Sequence, residues 1–210
     1  SKIRDLYLRQ FSNKSFIFTW GITPTYPETG YGYIEMGSKA AEGVYEVNSF
    51  VEKPAHEVAV KLLSTGNYLW NAGIFMFQAK IMIEAFAEYD PETLSRVKKS
   101  IENGTVDLGF FRLHKEEWSA LIESSIDVTI MERSKKLKTV ALDANWSDLG
   151  SWDSVWSNMA QDENGVATFG NAHVIECENT LLRSESEMLE IVGVGLKDIV
   201  AVATSDAVLI

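Results

Sequence analysis

Near residue 165 the sequence changes texture, and that change narrows the architectures open to the chain. Before it, apolar runs of strand length alternate with stretches whose apolar residues recur every three or four positions. After it come short β-prone runs over 172–176, 180–183, 189–192, 199–203 and 207–210, separated by Gly, Asn, Asp and Ser, and no long helix fits. Strands alternating with helices through residue 160 predict an α/β domain with a three-layer sheet. The second texture predicts a small all-β appendage of stacked strands. The boundary falls within 161–165, dividing the chain into 1–162 and 163–210.

Within the first part, Phe16 to Trp20 is continuously apolar and reads as a buried strand. Residues 21–30 form a loop punctuated by Gly21, Pro24, Pro27 and Gly30. Strands are predicted over 31–36 and 44–51, with a turn at 39–43. A helix over 55–63 stops at Gly66-Asn67. A strand over 68–77 is interrupted by Asn71 and Gly73. A helix over 78–89 is followed by a second one, with Asp90 as its N-cap and Pro91 at its first position, ending at Asn103-Gly104. Further helices are expected over 113–124, from Ser125 to about Arg133, and from Ser151. A strand is expected over 138–144. Ile3, Leu6, Tyr7 and Phe11 have helical spacing, so 1–13 reads as the end of a helix.

Composition excludes several functions. The apolar fraction of 46%, with six Trp, seven Tyr and ten Phe, is ample for a core. A net charge of -11 argues against nucleic acid or an anionic membrane as partner, because both need a basic face. Any anionic substrate must be held by local cations or a metal. The lone Cys177 rules out an intrachain disulfide and fits a reducing, cytoplasmic setting. No run is long and apolar enough for a membrane-spanning helix, and no segment reads as a signal peptide.

The stretch Ser49-Phe50-Val51-Glu52-Lys53-Pro54 carries the clearest chemistry. Pro54 cannot donate to a ladder and closes the strand. Glu52 and Lys53 point to opposite faces if the strand is regular, and converge if it is already turning. A glutamate accepts from hydroxyls and a lysine offers a compact charge to a phosphate, so together they suit a ligand bearing vicinal hydroxyls and a phosphate. The plainer reading is a strand end with two solvated charges. Gly30 and Gly32, flanking Tyr31, allow positive φ and close backbone approach, or simply form a tight turn. Asn71 beside Gly73 in an apolar run calls for a specific hydrogen-bonding role, either toward a ligand or toward local backbone at a β-bulge.

Taken in order, Gly21-Ile22-Thr23-Pro24, Pro27-Glu28-Thr29-Gly30-Tyr31-Gly32-Tyr33-Ile34, Ser49 to Pro54, Trp70-Asn71-Ala72-Gly73-Ile74-Phe75 and Asn145-Trp146-Ser147-Asp148-Leu149-Gly150-Ser151-Trp152 resemble the sugar-1-phosphate nucleotidyltransferases, most closely the mannose-1-phosphate guanylyltransferases. The resemblance runs from Phe16 to Ile210. It implies a mixed, Rossmann-like sheet with the site at its strand ends, followed by a β-helix-like tail. It implies nucleotidyl transfer from GTP to mannose-1-phosphate, giving GDP-mannose and pyrophosphate.

The same resemblance assigns Glu52 and Asn71 to the sugar, Lys53 to the sugar phosphate, Gly30 and Gly32 to close backbone approach, and Asp148 to Mg²⁺. On its own residues, Asp148 also reads as an N-cap or turn residue before the Trp152 helix. Ser125-Ile126-Asp127 matches the family's Ser-Ile-Asp, where Ser125 caps a helix and Asp127 favours its positive end. The family's glycine-rich Arg/Lys loop, which cradles the triphosphate, has no counterpart here. The chain therefore reads as the sugar-phosphate half of such an enzyme, inactive alone, with an open sheet edge where further strands belong. Two alternatives stand beside this reading: a non-catalytic sugar-phosphate-binding piece, and an assembly piece that forms a homodimer through its β tail.

Overall fold

A computed structural model describes residues 16–143 and 146–210. The helix end expected over 1–13, and the last residue of the strand expected over 138–144, lie outside the described residues. The chain divides into two compact units, Ser1–Ala144 and Asn145–Ile210.

The first unit is built on five strands: β1 (Ile17–Ile22), β2 (Tyr33–Ala41), β3 (Val44–Val51), β4 (Tyr68–Met76) and, after the segments below, β7 (Leu137–Leu142). They close on themselves in the order β1-β4-β2-β3-β7. β7 completes the ring by lying parallel to β1 and antiparallel to β3. The open three-layer sheet expected from the alternation of elements is therefore not what this unit forms.

The physical reason lies in the β2–β3 hairpin. Its register shifts between Glu35 and Ala41, so the long ribbon bends. Its base pairs with β4 at Tyr33–Glu35, and its far end pairs with β7 at Val44–Glu46. The edge expected to stand open is thereby paired within the ring.

Helices cover this ring. α1 (His56–Thr65) ends on Gly66 in the left-handed region, as Gly66-Asn67 predicts. α2 (Ala79–Tyr89) sends Ile81, Met82 and Ala85 into a core with Ile17, Ile34, Phe50, Ile130 and Leu137. Burying each large side chain there stabilises the unit by about 1.5–3 kcal/mol. α3 (Pro91–Glu102) starts at Asp90, whose carboxylate accepts from the Thr93 N–H at 3.0 Å, with Pro91 in the first turn. An apolar groove of about 340 Å³ runs along α2 and α3 past Phe77, Met82, Phe86 and Leu94.

Two local expectations change here. A short hairpin, β5 (Thr105–Asp107) and β6 (Phe110–Arg112), turns on Leu108 and Gly109, both at positive φ, and Asp107 pairs with Arg112 across it. Of the helix expected over 113–124, only α4 (Lys115–Ser119) forms, and the chain leaves it at Ala120. The helix expected after Ser125 is a single π-helical segment, Asp127–Met131. It buries Thr129, Ile130 and Met131 together.

The second unit holds α5 (Trp152–Ser157) and six short strands. β8 (Ala167–Phe169), β10 (Leu181–Ser184) and β12 (Val200–Ala203) lie parallel in one sheet, with β13 (Val208–Leu209) antiparallel at its end. β9 (Ala172–Ile175) and β11 (Ile191–Val194) lie parallel in a second sheet. From β8 to β12, successive strands thus alternate between two sheets. The corners between them use positive φ at Gly165, Gly170, Glu176, Asn179, Gly195 and Asp198.

α5 belongs with this unit: Trp156 Nε1 donates to the Gly165 carbonyl at 3.0 Å, and Gln161 donates to the Trp156 carbonyl. The division of compact units accordingly precedes the helix, where the expected boundary of 162/163 follows it. Among the described residues no helix is long and apolar enough to cross a membrane.

Candidate functional site

β3 delivers Glu52 and Lys53 to the end of the ring. Lys53 has φ 44°, so the chain is already turning there. The two side chains consequently converge, with Lys53 Nζ 3.6 Å from Glu52 Oε1. They differ in setting: the Lys53 side chain is 64% exposed and that of Glu52 only 15%. Glu52 is anchored through its backbone, whose N–H donates to Glu132 Oε1 at 2.9 Å. Its Oε2 is buried and has no hydrogen-bond partner among the described residues. Burial pushes the Glu52 carboxyl above its ordinary range, Asp127 and Glu132 add to the rise, and Lys53 opposes it.

Gly32 explains where that orphaned oxygen points. A Cβ on Gly32 would sit 2.6 Å from Glu52 Oε2 and 3.3 Å from Asn71 Cβ. The missing side chain therefore leaves a notch bordered by both residues. Neither Gly30 nor Gly32 is among the positive-φ glycines, so the backbone freedom expected of them is not used. Gly30 is exposed, and its N–H is taken by Glu28 Oε1 at 2.7 Å.

The loop that carries these glycines is pinned from two sides. The Tyr33 hydroxyl donates to the Glu28 carbonyl at 2.8 Å, and Tyr26 and Tyr31 pack edge-on against Trp70. Trp70 lies on β4 directly before Asn71.

Asn71 makes the local backbone bond that one of its two readings expects. The β1–β4 register shifts beside it, Gly73 takes φ +67°, and the Gly73 N–H donates to Asn71 Oδ1 at 3.2 Å. It also makes two long-range bonds: Thr19 Oγ1 donates to Oδ1 at 3.0 Å, and Nδ2 donates to Asp127 Oδ1 at 3.1 Å.

Asp127, read from sequence as helix-end charge, thus faces the site, while Ser125 supplies the capping hydroxyl to the Val128 N–H at 3.3 Å. Thr19 and Glu132 were not singled out by sequence. Their only signal is spatial, since they join Asn71 and Glu52 across 52 and 80 residues.

Asp148 belongs to the second unit. It is exposed, and Oδ1 accepts the Gly150 N–H at 3.0 Å in the turn before α5, whose N-cap is Ser151. Among the described residues, no three His, Cys, Asp or Glu side chains are grouped to hold a metal ion. His173 pairs with Glu190, and the buried Cys177 thiol donates to the Ile175 carbonyl.

Comparison with known proteins bears on this geometry. The nucleotidyl transferase family model matches residues 5–165. The chain is 42% identical over 194 residues to a mannose-1-phosphate guanylyltransferase of Sinorhizobium fredii, covering 92% of this chain and 38% of that protein. It is 40% identical over 198 residues to the mannose-1-phosphate guanylyltransferase of Escherichia coli K12, covering 92% of this chain and 41% of that protein. Among solved structures it is similar to one described as mannose-1-phosphate geranyltransferase from Thermus thermophilus, with a TM-score of 0.76 and 26% identity over 94% of this chain and 56% of that one. The chain spans about two-fifths of the length of the curated relatives it matches.

Proposed function

The chain belongs to the nucleotidyl transferase family, and from that premise we propose that it supplies the sugar-phosphate side of a reaction joining mannose-1-phosphate to GTP. The observation that carries this reading is the buried, unpartnered Oε2 of Glu52 facing the notch left by Gly32, with the exposed Lys53 ammonium beside it. A buried carboxylate oxygen without a donor is costly. A ligand hydroxyl supplies the missing donor, and Lys53 meets the phosphate of the same ligand.

In the reaction proposed, a phosphate oxygen of mannose-1-phosphate attacks the α-phosphorus of GTP and pyrophosphate leaves. The protein's part is position and charge. Glu52 and Asn71 hold the sugar, Gly32 lets it approach the backbone, and Gly30 shapes the turn that carries Gly32. Lys53 offsets phosphate charge in a chain of net charge -11. Asp148 offers an exposed carboxylate, a hard ligand of the kind Mg²⁺ takes together with substrate phosphates. When bound, Mg²⁺ supplies further neutralisation of phosphate charge.

The nucleotide-cradling loop has no counterpart in this sequence. The chain by itself is therefore proposed to bind sugar phosphate without turnover. The alternating two-sheet winding of the second unit supports a β-helix-like tail. GTP, a cytoplasmic setting and a role in GDP-mannose and polysaccharide synthesis follow from the same resemblance.

Titration calorimetry of this chain with mannose-1-phosphate tests the reading. Lys53→Ala is expected to weaken binding about ten- to hundredfold, the value of a charge-assisted hydrogen bond. Absence of binding by the unaltered chain, or a Lys53→Ala variant that binds equally well, would overturn it. Robust pyrophosphate release from GTP and mannose-1-phosphate would overturn the assignment of half an enzyme.

A further inference from the structure

The hydrogen bonds around Asn71 fix more than its position. A carboxamide oxygen accepts two hydrogen bonds and its nitrogen donates two. Here Oδ1 receives the Gly73 N–H and the Thr19 hydroxyl, which fills it. Nδ2 gives one proton to Asp127 Oδ1. The amide cannot be turned over: the oxygen would then face the carboxylate, and the nitrogen would face a backbone N–H, placing like with like at both contacts. Asn71 is buried, at 9% exposure, so neither mismatch could be relieved by water at little cost. Among the described residues one Nδ2 proton is left, so Asn71 can meet a ligand only as a donor. Glu52, across the same notch, is an acceptor when ionised.

We propose that Asp127 is a positioning residue that makes Asn71 a pure donor toward the notch beside Gly32, and that the notch thereby selects a ligand hydroxyl which accepts from Asn71 while donating to Glu52. The substrate feature read is one hydroxyl serving both roles, which neither an ether oxygen nor a fluorine can do. The inference rests on the sugar-phosphate reading for the ligand's class, but the state of the Asn71 amide stands independently of any ligand.

The two parts separate experimentally. In the ligand-free chain, side-chain amide NMR of Asn71 is expected to show one Nδ2 proton exchanging at least tenfold more slowly than those of exposed asparagines. Asp127→Ala removes that protection, and Asp127→Asn, whose amide oxygen still accepts, restores most of it. Fast exchange of both protons in the unaltered chain overturns the proposal without recourse to any variant. So does protection that survives Asp127→Ala.

For the ligand, mannose-1-phosphate and its singly deoxyfluorinated analogues are titrated against the unaltered chain and Asp127→Ala. One fluorinated position is expected to cost about tenfold in the unaltered chain. Asp127→Ala is expected to lose about tenfold for mannose-1-phosphate and nothing for inorganic phosphate. Equal affinity for every fluorinated analogue overturns the selection of a dual-role hydroxyl. A protected Asn71 proton in a chain that binds no mannose-1-phosphate sinks the sugar-phosphate reading and supports the clamp.

Discussion

Gly32, at the entrance to the ring, and Gly170, in the wound β unit, each leave too little room for a side chain, for opposite reasons. A Cβ on Gly170 would come 2.1 Å from the Ser184 carbonyl oxygen, at φ +67°. A Cβ on Gly32 would meet the far end of the Glu52 side chain at ordinary φ. The first glycine lets backbone pass backbone, and the second leaves a notch beside the Glu52 carboxylate. The same division holds more widely. In the β unit, contacts recur at close spacing, as where Asn179 Nδ2 donates to Asp198 Oδ1, 19 residues on, and both residues take positive φ. In the first unit, polar bonds join residues that lie 52, 56 and 80 positions apart in sequence. One region invests its exceptions in winding the chain, and the other in joining segments far apart in sequence.

The sharpest test of that contrast is the same substitution at both positions. Gly170→Ala combines left-handed strain of about 1–2 kcal/mol with backbone overlap costing about 1–3 kcal/mol. Urea denaturation should show the second unit destabilised by about 3 kcal/mol while the first keeps its midpoint. Gly32→Ala should cost about 1 kcal/mol or less, since Glu52 can swing aside, yet abolish mannose-1-phosphate binding by calorimetry. Equal stability losses at the two sites would erase the distinction.

A finer probe uses pH. Burial, Asp127 and Glu132 hold the Glu52 carboxyl above its ordinary range against the pull of Lys53. Between the unfolded and folded values the folded chain binds more protons, so this group's contribution falls as pH rises through that window and stays lost above it. Glu52→Gln should therefore be more stable than the unaltered chain at pH 7, with the difference shrinking as pH drops below the usual glutamate range. Stability differences that do not change with pH would show that Glu52 is not strained by its neighbours.

The smallest effect belongs to the exposed Lys197–Glu178 pair, 2.8 Å apart on the β unit. Lys197→Ala should leave the denaturation midpoint unchanged within error, because solvent screens such a pair. A clear loss would mean that the winding depends on side-chain charge and not on backbone geometry.

How much was legible in the sequence follows the same line. Local chemistry was readable: Asp90-Pro91 starts α3, Gly66 ends α1, and β9 to β13 fall on the β-prone runs. The strand end at Glu52-Lys53 was visible, but whether its side chains diverge or converge depended on the φ of Lys53. The β5–β6 hairpin escaped because a leucine occupies a left-handed turn position, for which sequence gives little warning. Ring closure escaped because it depends on register shifts within β2–β3, and periodicity does not register a bend. Asp127 was visible as a residue, but its bond to Asn71 was not, since nothing at position 127 records what packs against it.

The closing strand carries a consequence for biosynthesis. β7 satisfies the free edges of both β1 and β3, yet it follows β1 by about a hundred residues. At about 5–20 residues per second, a ribosome needs on the order of ten seconds to deliver it. Once β3 has also been made, the edges of both strands are unpaired templates until β7 arrives, open to a neighbouring nascent chain on the same message. A slow codon between Val51 and Leu137 would lengthen that interval without altering a single residue of the finished ring.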